Sequence, residues 1–278
     1  MNTQIRGYCG LVNPDSTSYL NAVLQTLFMT KEFREHVERL DRDGVSSDDN
    51  FIRELKKLFN ELEKQKEHAV SAAGVVKSLG IDVHKERDAA EYLEKILKKT
   101  PGPSELFKIT TTKRACVPCR DEHKQPCQDF LSLPVSLKDS PEVEDAVEAH
   151  VDQMCEVYQM NCRNCQKTTV WKSEVISFPK LLIIQLRRSG DRKVIIRPQI
   201  KVSSLTYELY AIVNHSGSSC GGNYNADIKC EDKIWRRFDD ETVSETDLNS
   251  IFSEKTPSDK RCTHRSSEAY LLVYRRRE

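Results

Sequence analysis

Apolar positions in roughly the first hundred residues recur at three and four, whereas later ones alternate or run together, so helices are expected first and strands afterwards. Tyr19, Leu20, Val23, Leu24, Leu27 and Phe28 make one helical stripe, preceded by the helix-capping residue types Asp15, Ser16, Thr17 and Ser18. Lys31 to Leu40 continues a charged helical pattern, and Arg42 to Asn50 reads as a loop. Phe51, Leu55, Leu58, Phe59 and Leu62 form a second stripe with Lys and Glu on the opposite face. Ser71 to Leu79 predicts a short helix, and residues 85–98 a longer one whose start carries Asp88 and Glu91 one turn apart. Acidic residues there suit the positive end of a helix whatever else they do.

From Glu105 the pattern changes. Leu106 to Thr112, Phe130 to Leu137, Val175 to Phe178, Leu181 to Leu186, Tyr207 to Val213, Tyr224 to Lys229 and Ala269 to Tyr274 are β-prone, and Val143 to Met154 interrupts them as a helix. Helices first and strands later predict an α+β fold. No repeat, Gly/Ser linker or low-complexity segment divides the chain, so residues 1–278 are expected to form a single domain.

Composition narrows the partners. Lys plus Arg equals Asp plus Glu at 43 each, so no global field favours nucleic acid or an anionic membrane, and neither is expected as a partner. No apolar run approaches the roughly 18 residues of a membrane span, and Met1 to Arg6 lacks the apolar core of a secretory signal. A soluble monomer in the cytoplasm or nucleus is expected, where the ten cysteines read as thiols and metal ligands rather than disulfides. Cys116-x-x-Cys119 and Cys162-x-x-Cys165 are two matched knuckles that would close a tetrahedral structural zinc site, with exposed redox pairs as the alternative. Cys127 and Cys155 are surplus to that set.

The richest chemistry sits at the start of the first helix. Ser18 falls in a first turn, where unpaired backbone N–H groups and the helix dipole can activate a nucleophile or hold an oxyanion. Gly10-Leu11-x-Asn13, Thr17-x-Tyr19-Leu20-Asn21 and Leu24-Gln25 resemble the cysteine box of the ubiquitin-specific protease family, with Ser18 where that family has its catalytic Cys. Further matches follow in order over about residues 8–275: Asp88-Ala-x-Glu91, the two Cys pairs, Phe178-Pro-Lys-Leu181 through Leu186-x-Arg188, His215-Ser-Gly through Gly222-Asn223-Tyr224, Trp235-x-x-Phe238-Asp239-Asp240, and Ala269 to Tyr274.

The resemblance implies a papain-like fold with a helical thumb at about 8–100, zinc-ribbon fingers at about 105–175 and a β-sheet palm at about 175–278. It implies a cysteine-type deubiquitinase that cleaves ubiquitin C-terminal peptide and isopeptide bonds, with ubiquitin or a ubiquitin-like modifier as partner and structural zinc as cofactor. Carried over by position, Ser18 stands for the nucleophile, Asn223 for the base, Asp239 with Asp240 beside it for the orienting carboxylate, and Asn13 for an oxyanion donor. Asp88, Glu91, Gly222 and Tyr224 fall where the modifier's tail is bound. Glu86 and Arg87 depart from the glutamines usual ahead of that Asp.

Two of the three catalytic positions are altered. A serine hydroxyl is far less acidic than a thiol and needs a base more, yet Asn223 has no titratable nitrogen. Pro14 removes an N–H from the loop, and Asp15 adds a carboxylate where negative charge would develop. A Cys-to-Ser exchange made to trap substrate would account for Ser18 but not for Asn223, Pro14 and Asp15. A pseudoenzyme that still binds a modifier is therefore expected. The alternatives are a thiol-dependent deubiquitinase in its native form, of which this chain is an altered version, and a zinc-stabilised scaffold; a base relocated to His215 or His84 would instead leave the chain as written active.

Overall fold

A computed structural model describes residues 7–40, 50–116, 124–161, 166–187, 192–218, 221–252 and 262–278. Of the loop expected from Arg42 to Asn50, residues 42–49 lie outside them, as does the motif residue Arg188, and Asn50 is helical. The helical half begins with β1 (Gly10–Leu11), α1 (Ser18–Met29), α2 (Lys31–Arg39) and α3 (Asn50–Lys64). It continues through β2 (Ala69–Val70), α4 (Ala73–Ser78) and α5 (Ala89–Lys99). Pro103–Phe107 is a 3₁₀ turn, so the strand expected from Leu106 starts only at Ile109. The helix expected from residue 85 starts at Ala89, because the Asp88 side chain accepts the Glu91 N–H at 2.9 Å and caps it.

The β half comprises β3 (Ile109–Cys116), β4 (Lys124–Phe130), β5 (Leu133–Ser136), α6 (Val143–Met154), β6 (Val157–Asn161), β7 (Thr168–Ser177) and β8 (Leu181–Arg187). It continues with β9 (Val194–Ile196), β10 (Gln199–Val202), β11 (Leu205–Ser218), β12 (Gly221–Lys229), β13 (Trp235–Asp239) and β14 (Thr242–Glu245). The described chain closes with α7 (Leu248–Ile251), β15 (His264–Ser266) and β16 (Ala269–Arg276). An eight-stranded sheet runs β14-β13-β12-β11-β16-β8-β5, with β10 also on β11. A separate four-stranded sheet runs β4-β3-β7-β6.

Period-two alternation lets the large sheet bury both faces. On β8, Leu181 and Ile183 face the helical half, where they join Leu20, Leu24, Leu93 and Leu97. Leu182, Ile184 and Leu186 face the other way and pack with Val143 and Val147 of α6. That is why Leu181 to Leu186 is apolar almost without a break. Among the described residues, no helix is long and apolar enough to cross a membrane.

Candidate functional site

The loop from Asn13 to Thr17 is shaped by one side chain. Asn13 Oδ1 accepts the Asp15 and Thr17 N–H groups, each at 3.1 Å, and the Thr17 hydroxyl at 2.9 Å. This carboxamide turns the chain into α1 in place of a side-chain cap at Thr17. Its Nδ2 donates to Asp240 Oδ2 at 2.8 Å, and Asn21 Nδ2, one turn into α1, donates to Asp240 Oδ1 at 2.8 Å. Asp240 holds a left-handed backbone with φ 49°. Its burial raises its pKa against the opposing pull of Asn21 and Asn13. Gly10 completes the junction, because a Cβ there would lie 2.4 Å from the Glu241 carbonyl oxygen.

Ser18 is 6% exposed, and its Oγ accepts the Tyr224 N–H at 3.1 Å. That bond lays β12 across the start of α1. Asn223, the preceding residue, is exposed and donates from Nδ2 to Asp239 Oδ1 at 3.0 Å. Ser18, Asn223 and Asp239 are thus linked across the junction of the two halves. Among the described residues, the partner of the Ser18 hydroxyl is this main-chain N–H and no histidine.

Neither alternative base is bonded to that hydroxyl. His215 pairs with Tyr224 across the strands and stacks on its ring, with centroids 4.4 Å apart at 29°. The imidazole also closes over Gly222, where a Cβ would lie 2.6 Å from its Nε2 and 2.4 Å from the Ser216 carbonyl oxygen. His84 Nδ1 lies 2.6 Å from Asp15 Oδ2, and this bond raises the His84 pKa above its ordinary 6.5. Asp15 therefore holds a partner on the loop before α5, and the Ser16 N–H joins the same two loops through the Val83 carbonyl at 2.9 Å.

The positions expected to meet a modifier's tail lie together between α5 and the ends of β12 and β16. Asp88 is half-buried and accepts the Tyr270 hydroxyl, which in turn accepts Gln185 Nε2 at 2.8 Å. Glu91 is exposed one turn along. Tyr224 is buried, and burial followed by the charge of Asp88 pushes its pKa up to about 12, keeping the phenol neutral. Glu86 reaches across the cleft, accepting the Gly222 N–H on its Oε2 at 3.0 Å. The departure of Glu86 from glutamine was visible in the sequence, but its partner on β12 was not. Asn21, Tyr270 and Gln185 likewise stood in motifs that gave them no role.

Cys119, Cys162 and Cys165 lie outside the described residues, and nothing is described of the Cys116 side chain. The backbone places the end of β3 near the end of β6: Cys116 pairs with Val170 and Asn161 with Thr168, two positions apart on β7.

A helical half against a two-faced sheet, with the Ser18, Asn223 and Asp239 positions at their junction, is the architecture of a papain-like protease core. Residues 9–274 match the family model described as ubiquitin carboxyl-terminal hydrolase, and the chain belongs to that family. It is 27% identical to ubiquitin carboxyl-terminal hydrolase 15 of Schizosaccharomyces pombe, across 98% of this chain and 28% of that protein. It is 24% identical to ubiquitin carboxyl-terminal hydrolase 47 of Mus musculus, across 99% of this chain and again 28% of the relative. The chain thus spans little more than a quarter of the length of these relatives. Among solved structures, it superposes on the SAGA DUB module Ubp8/Sgf11/Sus1/Sgf73 bound to monoubiquitin with a TM-score of 0.69 and 20% identity, covering 98% of this chain and 70% of that one.

Proposed function

We propose that this chain is a catalytically silent member of its family that holds ubiquitin, or a modifier with a similar basic tail, without cleaving it. The observation that carries this reading is the pairing of Asn223 Nδ2 with Asp239. An amide donor occupies the place from which a base would take a proton, and Ser18 Oγ receives a main-chain N–H instead. Family membership and a solved neighbour bound to monoubiquitin support the modifier as ligand.

In this reading Asp88 and Glu91 supply negative charge to the tail, and Gly222 and Tyr224 line its path. Titrating ubiquitin into the purified chain by calorimetry is expected to give saturable binding. Glu91→Arg should weaken it about tenfold, since it replaces an attraction by a repulsion while leaving the Asp88 cap intact. Equal affinity in both proteins, or no binding at all, contradicts the proposal.

Structural zinc belongs to the same reading, held by Cys116, Cys119, Cys162 and Cys165. Elemental analysis should find about one zinc ion per chain, lost together with the stability of the four-stranded sheet in a Cys119→Ser, Cys162→Ser protein. Metal-free protein of unchanged stability counts against it.

One observation favours a second reading, a protein-interaction scaffold that has lost modifier binding. Glu86 and Asp88 both already hold partners across the cleft, in Gly222 and Tyr270. A Glu86→Ala protein separates the two readings: modifier affinity rises if the contact only competes with the tail, and stays nil if the cleft binds no modifier.

A further inference from the structure

The large sheet carries a second concavity at the end opposite the Ser18 cleft. On β11, His215 marks the cleft end and Glu208 the far end, roughly 20 Å away at the ordinary rise of a strand. The concavity has a volume of about 570 Å³, within the range of small-ligand sites. The end of α1, the start of α2, β11, the turn after β12 and the end of β16 all contribute to it.

Its charge stands out against a chain that is neutral overall. Lys31, Lys229, Lys233, Arg275, Arg276 and Arg277 line it, against three carboxylates, Glu32, Glu208 and Glu231. Each carboxylate already has a cation. Arg275 forks onto Glu32 at 3.0 and 3.1 Å, Lys229 reaches Glu208 at 2.9 Å, and Arg34, outside the concavity, lies 3.6 Å from Glu231. Burial opposes ionisation of Glu32 and Glu208, but the backbone and Arg275 at the first and Lys229 at the second hold both carboxyls below their ordinary range.

The remaining cations are less committed. Arg277 is 3.6 Å from Glu208 and donates to Gln199 Oε1 at 3.4 Å, and Lys31 is 63% exposed and 4.0 Å from Glu35, whereas the Arg276 side chain turns to the opposite face of β16, where its Nη1 donates to the Phe178 carbonyl at 3.4 Å. The floor is fixed: Tyr210, 3% exposed, shares a hydrogen bond with Thr30 Oγ1 at 2.8 Å, and the Arg275 guanidinium lies 4.4 Å over its ring. Surplus cations from α2, the turn after β12 and the residue after β16 therefore converge on one concave site. Guanidinium forks beside ammonium groups suit phosphate oxygens.

We propose that this concavity binds a compact polyanion bearing at least two adjacent phosphate groups, through Lys31, Lys233 and Arg277. The ligand seats away from Glu32 and Glu208, whose cations screen them. Its source is a free polyphosphate or a pair of phosphorylated side chains on a peptide.

The test is calorimetric titration of the whole chain with inorganic tripolyphosphate, beside a peptide with two adjacent phosphoserines. Saturable binding is expected, at least about tenfold weaker in a Lys31→Glu, Lys233→Glu, Arg277→Glu protein. The same charge reversal at Lys57, Lys64 and Lys66, on α3 and just beyond it, should cost less than about threefold. A single Arg277→Gln exchange, expected to weaken binding about threefold, serves if the triple variant does not fold. A peptide that competes with tripolyphosphate identifies a phosphorylated protein as the source; one that fails to compete identifies a free polyphosphate. No saturable binding of either probe, or equal losses in both triple variants, overturns the proposal.

Discussion

Replacing Ser18 by Cys and Asn223 by His together is expected to make the chain release a fluorophore from the C-terminus of ubiquitin. The backbone for such a pair is in place, because the Tyr224 N–H lies 3.1 Å from Ser18 Oγ and residue 223 is its neighbour. The orienting carboxylate is in place too: Asp239 receives the Asn223 amide at 3.0 Å and would receive an imidazole N–H instead. General-base catalysis contributes roughly 10²- to 10⁴-fold, and nucleophile and base act as a unit. Ser18→Cys alone still lacks the base, and Asn223→His alone still presents a hydroxyl, so each should fall at least about 100-fold below the pair. Initial rates of the four proteins provide the check. Asp15→Gly added to the pair should raise the rate again, by removing a carboxylate from beside the developing charge.

The largest effect on stability is expected at Asp240. Asp240→Ala removes the charged acceptor for Asn13 Nδ2 and Asn21 Nδ2, both at 2.8 Å, where β1, α1 and the turn after β13 meet, and leaves Asn21 Nδ2 only its longer bonds to the Leu11 and Val12 carbonyls at 3.4 and 3.3 Å. Hydrogen bonds to a charged group contribute about 1.5 to 3 kcal/mol each, so a loss of about 3 to 5 kcal/mol is expected on denaturant unfolding. The left-handed backbone at φ 49° adds to the penalty for alanine. Asp240→Asn tolerates that backbone and keeps one acceptor oxygen, so it should lose about half as much. Equal losses in the two variants would contradict this assignment of the energy to the paired carboxylate.

Much of the fold was legible because it rests on local patterns. The stripe from Tyr19 to Phe28 is α1, Val143 to Met154 is α6 at the expected bounds, and the unbroken apolar run of Leu181 to Leu186 is the two-faced strand β8. Short or polar strands such as β6, β9 and β13 to β15 were not, since they are held by neighbours more than by their own composition. The same division runs through the site. Ser18, Asn223 and Asp239 could be named from motifs. Glu86 on Gly222, His84 on Asp15 and Tyr270 on Asp88 could not, because each bond joins loops and strands distant in sequence. Asn13 shows both sides: its place was legible, but the engagement of its amide by Asp240 required the folded chain.

Fluorophore release by the unaltered chain, at ubiquitin-conjugate concentrations that saturate binding, tests most directly whether it holds a modifier without cutting it. Complexed substrate with no burst and no turnover above the enzyme-free rate is the predicted result. Turnover by the unaltered chain, abolished by His215→Ala or His84→Ala, would contradict it and make the protein an enzyme with a relocated base.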